Sequence, residues 1–285
     1  MQAYNVKVIQ YLYGTQVRVY SDLVNKRACY EDDFCVADLD KVNNYKSDNL
    51  DNEDNNRCDA DLDIDNDNVD DDINDDNGVK SARSLASSKN RTINCIYDIA
   101  RSNDWDYFLT LTFDPNKIDS FDYELVSKKL SQWIDNFKRK NAPDLKYILV
   151  PELHKSGRYH FHGLLKDIGN MKLINSGHKD SSGNVIYNLG NYKLGFSTVT
   201  KINDVRRCSS YISKYITKDL CFNTFGKKRY WASRNLDEPV VTNLVLSPQE
   251  IEDMILTFNR EIVFQKTIEC TGYYNLKVSY YELEN

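Results

Sequence analysis

Paired cysteines, a long apolar run and a nucleotide-phosphate loop are all missing from this chain. Its seven cysteines, at positions 29, 35, 58, 95, 208, 221 and 270, are odd in number and include no Cys-x-x-Cys. That excludes a zinc ribbon and a disulfide framework, and it fits reduced thiols in a reducing compartment. No stretch approaches the ~18 apolar residues of a membrane span. The opening Met1-Gln2-Ala3-Tyr4-Asn5-Val6-Lys7 lacks the uninterrupted apolar core of a signal peptide. A soluble cytoplasmic protein with no membrane partner is expected. No Gly-x-x-x-x-Gly-Lys-Ser/Thr occurs, and 285 residues leave no room for a motor domain beside the rest, so no small-molecule cofactor is expected.

An excess of positive charge is also absent from the totals, with a net charge of -6 and a pI near 5.3. The acid is local. Residues 31 to 78 hold 19 Asp and Glu against 3 Lys and Arg, a charge of -16, which leaves +10 on the remainder. The same stretch is low in complexity, dominated by Asp and Asn and scarce in aromatics, so it cannot bury enough apolar surface to offset its ordering entropy. A disordered acidic insertion is predicted. Asp61-x-Asp63-x-Asp65 has calcium-loop spacing, but Asn66 stands where the loop turns on Gly and no Glu occupies the twelfth position, which excludes an EF-hand.

The rest reads as strands and amphipathic helices. Alternation over 6–13 and 16–20 around Gly14-Thr15 predicts an N-terminal β-hairpin, which must dock on a larger body because two strands alone are marginal. A basic helix or helix pair is expected over 79–102. Asp106 to Phe113 reads as a buried strand ended by Asp114-Pro115. Val126, Leu130, Trp133, Ile134 and Phe137 recur at helical spacing over 123–140. After two further strands come a polar excursion over 167–191 and a strand over 195–200. Ser247-Pro248-Gln249-Glu250 has capping-box spacing with Pro at the first helical position, so a helix runs to about residue 259. Residues 266–284 add strands. The expectation is an α+β fold: an N-terminal hairpin in 1–30, the acidic insertion in 31–78, a domain over 79–240 with a central antiparallel sheet and flanking helices, and a C-terminal helix and strands over 241–285 packed on it.

Chemistry concentrates in two stretches. In Tyr159-His160-Phe161-His162-Gly163 the strand period puts both imidazoles on one face. The apolar run 147–154 reads as the partner strand of a hairpin turning at Ser156-Gly157-Arg158, and that turn places Glu152 opposite His162 on the same face. Two nitrogens and a carboxylate with open positions suit Mg²⁺ or Mn²⁺ at a phosphodiester. A bulge at the glycine would put His154 in the place of Glu152. An isolated His-x-His is equally consistent with hydrogen-bonded imidazoles in a half-buried sheet. The second stretch, over 205–220, is read as a helix on which Tyr211 and Tyr215 form one stripe and Lys214 and Lys218 a neighbouring one. Farther on, Lys228, Arg229, Trp231 and Arg234 mix cations with an aromatic face, suited to phosphates and stacked bases or to a basic edge strand.

The strand ending in Leu109-Thr110-Leu111-Thr112-Phe113, then Glu152 with His160-Phe161-His162, then Tyr211 and Tyr215 with their lysines resembles the HUH endonucleases over roughly residues 95 to 235. The resemblance is greatest to the rolling-circle replication initiators of small phages and plasmids. It implies a ferredoxin- or RRM-like central antiparallel sheet and a metal-dependent nickase that attacks one DNA strand with tyrosine. His160 and His162 would be metal ligands and Glu152 the third. Tyr215 or Tyr211 would be the nucleophile, with Lys218 or Lys214 as its basic neighbour. The product would be a 5′-phosphotyrosyl enzyme with a free 3′-OH for the host replication machinery, in the bacterial cytoplasm if phage or plasmid encoded, and the substrate single-stranded or origin DNA. The acidic insertion would then compete with DNA phosphates for the basic surface. A transposase or relaxase of the same superfamily and a non-catalytic nucleic-acid-binding module are the other readings.

Overall fold

The computed structural model describes residues 3–25, 76–257, 262–270 and 276–283. The acidic insertion expected over 31–78 lies outside these residues except for its last three, which open a helix. In chain order the elements are β1 (Ala3–Tyr11), β2 (Gly14–Asn25), α1 (Asp76–Ser102), β3 (Tyr107–Phe113), α2 (Tyr123–Asn141), β4 (Lys146–Leu153), β5 (Tyr159–Lys166), β6 (Leu173–Lys179), β7 (Val185–Leu189) and β8 (Gly195–Lys201). They continue with α3 (Val205–Ser213), α4 (Lys218–Asn223), β9 (Trp231–Ala232), β10 (Val240–Leu244), α5 (Pro248–Thr257), β11 (Ile262–Cys270) and β12 (Leu276–Leu283).

The strands form two antiparallel sheets, one of seven in the order β6-β7-β8-β3-β5-β4-β9 and one of five in the order β10-β1-β2-β12-β11. The fold is α+β, as the pattern of elements implied. In the seven-stranded sheet, alternation divides β3 and β5 cleanly. Leu109, Leu111, Phe113 and Phe161 are buried on one face. Over that face runs α2, whose Val126, Leu130, Ile134 and Phe137 are buried at helical spacing. Asp122 caps α2 by accepting from the Glu124 and Leu125 amides at 2.9 and 3.1 Å, and Lys138, Arg139 and Lys140 complement the dipole at its other end. Trp231 ties helix to sheet, its Nε1 donating to Ser131 Oγ at 2.8 Å while its ring meets Phe161 edge-on. Truncating Leu130 would cost about 2–5 kcal/mol by the cavity it leaves.

The two ends of the chain meet in the five-stranded sheet, where β12 pairs with β2. Val6, Val8, Val17 and Leu283 face Ile251 and Met254 of α5. Ser247 and Glu250 form the expected capping box, with the Glu250 carboxylate accepting from the Ser247 amide at 2.7 Å. Along α1, Ile93, Ile96, Tyr97 and Ala100 are buried at a helical period. Its last turn reaches the smaller sheet through charge: Arg101 Nη1 lies 2.5 Å from Glu282 Oε2, and Gln16 bonds the other Glu282 oxygen at 2.6 Å while accepting from Arg18. Tyr11 donates to Asp98 at 2.7 Å.

Three local expectations shift. The first hairpin turns at Leu12-Tyr13 rather than Gly14-Thr15, because Gly14 pairs with Tyr11 and takes a left-handed φ of 117°. The polar excursion over 167–191 contains the β6–β7 hairpin, whose outer strand is largely exposed and so carries little apolar signal. The helix expected over 205–220 is two helices separated by a bend.

Candidate active site

Strand β5 sets the row. Its partner β3 places Thr112 opposite His160 and Thr110 opposite His162. The Thr110 hydroxyl lies 3.1 Å from His162 Nδ1 and the Thr112 hydroxyl 3.4 Å from His160 Nδ1. Each imidazole thus turns Nδ1 to a threonine and leaves Nε2 for another partner. Between the histidines Phe161 points into the apolar face, and Gly163 admits close packing: a Cβ there would stand 2.3 Å from Leu149 Cδ2 and 2.8 Å from the Ile148 carbonyl. Only glycine fits.

Glu152 shares the face of the histidines, but in a different register from the one the sequence suggested. It pairs with His160, and Val150 pairs with His162. The three-residue turn is Lys155-Ser156-Gly157, one residue earlier than expected. His154 and Arg158 close it with an amide-to-carbonyl bond of 2.9 Å, and Gly157 takes the left-handed φ of 81°. The Glu152 side chain still reaches diagonally to His162, its Oε2 2.7 Å from Nε2. Burial raises the Glu152 carboxyl, but the bond with His162 and the charges of the neighbouring histidines outweigh it and hold the group below the ordinary glutamate value. Burial pushes the His160 imidazole down, with Glu152 opposing. His154, the alternative third ligand, lies in the turn; its ring stacks on His160 at 5.3 Å, and its Nδ1 is 2.9 Å from Ser156 Oγ. A cavity of about 400 Å³ opens there, lined by Thr112, Ser120, His154, Arg158 and His160.

The tyrosines come from the bend. Ser213 Oγ turns back to the Ser209 carbonyl at 2.8 Å, and the amides of Lys214 and Ile216 bond to the carbonyls of Tyr211 and Ser213. Thr217 then caps α4, accepting from the Leu220 amide at 3.1 Å. Tyr211 therefore sits in the last turn of α3 and Tyr215 beyond it, not one helical turn apart on a continuous helix. The bend brings Tyr215 flat onto His162, with centroids 3.7 Å apart and planes within 4°. Tyr211 meets Tyr215 edge-on at 5.6 Å and Phe108 at 5.2 Å. Lys214 is exposed, with its Nζ 5.5 Å from the Tyr211 ring centroid rather than beside Tyr215. Lys218 is exposed in the first turn of α4. The signal for the break was present in Thr217-Lys218-Asp219, an N-cap followed by acid in the first turn.

Of the basic-aromatic cluster, Lys228 and Arg234 are exposed. Arg229 and Trp231 correct the expectation of a nucleic-acid surface there, because both are buried. The Arg229 guanidinium donates to the Cys221 carbonyl and Ser88 Oγ, each at 2.9 Å, and to Thr224 Oγ1 at 3.2 Å. Trp231 faces Phe161 on the side of the sheet away from the histidines. Lys228 Nζ lies 5.2 Å from the centroid of that indole.

Among the described residues, no group of three His, Cys, Asp or Glu side chains is drawn together as a ready cation site. The donor chemistry nevertheless suits Mg²⁺ or Mn²⁺. The 2.7 Å between Glu152 Oε2 and His162 Nε2 is close to the separation of adjacent ligands on a cation with bonds of about 2.0–2.3 Å. Each histidine's Nδ1 also faces a threonine hydroxyl, the kind of outer contact that orients a ligating imidazole.

Residues 106–220, from just before β3 into α4, match a family model of replication-associated proteins, the ORF2 type. The matched span contains Glu152, His160, His162, Tyr211 and Tyr215, and it supports a replication-initiator-type protein. No curated protein and no solved structure matches the chain. Among the described residues no helix is long and apolar enough to cross a membrane.

Proposed function

We propose that this chain initiates rolling-circle DNA replication by nicking one DNA strand through a tyrosine. The observation that carries the reading is the face-to-face stack of Tyr215 on His162, the histidine that also bonds Glu152. A phenol is a poor nucleophile near neutrality, its ordinary pKa being about 10, so the site must stabilise its oxygen as it loses the proton. In this reading Tyr215 Oη attacks the scissile phosphorus, the P–O3′ bond breaks, and the departing 3′ oxygen takes up a proton. The strand is left joined through its 5′ phosphate to Tyr215, with a free 3′-OH that the host replication machinery extends.

His160, His162 and Glu152 would hold Mg²⁺ or Mn²⁺, which when bound supplies Lewis-acid polarisation of the phosphate. Thr110 and Thr112 orient the two imidazoles, and Lys218 supplies positive charge near the phenol oxygen. Tyr211, in contact with Tyr215, is placed to take the second strand transfer. Incubation with labelled single-stranded DNA and Mn²⁺, followed by denaturing electrophoresis, tests the reading: a covalent adduct mapping to the peptide with Tyr215 supports it, and an intact oligonucleotide with no adduct refutes it. That second outcome would fit a non-catalytic binding module, the reading favoured by the direct Glu152–His162 bond.

A further inference from the structure

The histidine row does not stop at β3. Thr112, opposite His160 on one side, is opposite Phe196 of β8 on the other, and Thr110 is likewise opposite Thr198. Cross-strand partners point to the same face, so Phe196, Thr112, His160 and Glu152 form one transverse line across four strands. Strands lie about 4.8 Å apart, which puts Phe196 roughly 10 Å from His160. Phe196 is 72% exposed, although it stands within a strand that buries Ser197 and Val199. On the hairpin side of His160 a second exposed ring, Phe121, carries the Arg158 guanidinium 5.2 Å from its centroid, beside the cavity.

We infer that single-stranded DNA lies along this line, with one base stacked on Phe196 and another on Phe121, so that the intervening phosphate is presented at His160 and Tyr215. The inference rests on the proposed function and adds the residues that seat the strand. Aromatic faces stack on any base, and cations for the phosphates flank both rings. Lys155 and Arg158 lie at the hairpin tip, and Lys193 and Lys117 lie at the Phe196 end, where Lys117 Nζ is 3.4 Å from the Lys193 carbonyl and also pairs with Asp114. Threonine hydroxyls on the floor between the rings offer donors to phosphate or base edges without fixing a sequence.

The test is equilibrium binding of fluorescein-labelled oligothymidylate, read by anisotropy in metal-free buffer so that nicking plays no part. Phe196→Ala should weaken binding about 5- to 150-fold, the loss of one stacked base, and Phe121→Ala should act in the same direction. Phe196→Trp should restore it, and Leu256→Ala, an exposed apolar residue on α5, should bind as wild type. Equal affinity for wild type and Phe196→Ala overturns this inference alone. Wild type failing to bind oligothymidylate overturns it together with the DNA reading. A change of oligomeric state in Phe196→Ala on size-exclusion chromatography overturns it in favour of a second copy of the chain on this face.

Discussion

Two polar clusters sit under the surface of this molecule, and they are built on opposite plans. Arg101, Glu282, Gln16 and Arg18 join α1 to the five-stranded sheet, and their hydrogen bonds run inward from one to the next. Glu152, His160 and His162 sit on the seven-stranded sheet beneath a tyrosine. Their Nδ1 edges are tied to threonines, while the Nε2 edge of His162 and the partly exposed Glu152 carboxylate face each other beside Tyr215. The first cluster uses its hydrogen bonds to hold two bodies together. The second leaves its strongest donors and acceptors toward an opening. Stability and chemistry are thus carried by different charged residues, and substitutions should separate them.

The largest separation is expected from one substitution in each cluster. His162→Ala should lower metal-dependent nicking by a factor on the order of a thousand while the protein still folds, because it removes a group at the reacting phosphate and leaves the apolar face intact. Nicking rate and thermal denaturation measured on the same preparation check both halves. Arg101→Ala should do the reverse. It leaves Glu282 buried without its cation, at a cost of about 3–5 kcal/mol, while the fraction that remains folded nicks at the wild-type rate per folded molecule. Urea titration followed by circular dichroism would show the midpoint shift. If the double substitution Arg101→Met, Glu282→Leu is as unstable as Arg101→Ala, loss of the ion pair is not the cause.

A smaller effect is expected at Gly163, where a Cβ would overlap Leu149 and the Ile148 carbonyl. Gly163→Ala should destabilise by about 1–3 kcal/mol through overpacking. It should also displace His162, so both readouts move together and the clean separation is lost. The smallest concerns Lys166, which bridges Asp104 and Asp106 at 2.7 and 2.9 Å on the surface. Its removal should cost about 0.2–1 kcal/mol. The bond with Lys166 holds the Asp104 carboxyl below its ordinary value despite burial. The stabilisation is therefore complete above the ordinary carboxylate range and is lost as pH falls through the lowered folded-state value. The difference between wild type and Lys166→Ala should shrink in that window, which melting curves at several pH values would reveal.

What the sequence revealed depended on whether a local rule governed it. Alternation sufficed to put His160 and His162 on one face and Glu152 with them, and helical spacing with a capping box located α2 and α5. Register was harder, because Ser156-Gly157-Arg158 and Lys155-Ser156-Gly157 both make three-residue turns and only the left-handed Gly157 selects the second. Tyr211 and Tyr215 looked like helix neighbours because their spacing is helical. The break follows from Ser213 and Thr217 turning their hydroxyls to the backbone, a competition that spacing does not encode. Arg229 and Trp231 looked like a nucleic-acid surface by composition, but tertiary packing gave each an internal partner. The Arg101–Glu282 pair joins residues 181 apart in sequence, and no local pattern announces it.

The central claim is that Tyr215, stacked on His162, is the group that becomes joined to DNA. The most direct measurement is the covalent adduct formed on labelled single-stranded DNA with Mn²⁺ by wild type, Tyr215→Phe and Tyr211→Phe, resolved on a denaturing gel and mapped by peptide mass. The account predicts an adduct with wild type and with Tyr211→Phe and none with Tyr215→Phe. An adduct of undiminished yield on Tyr215→Phe, or its loss only in Tyr211→Phe, would contradict it.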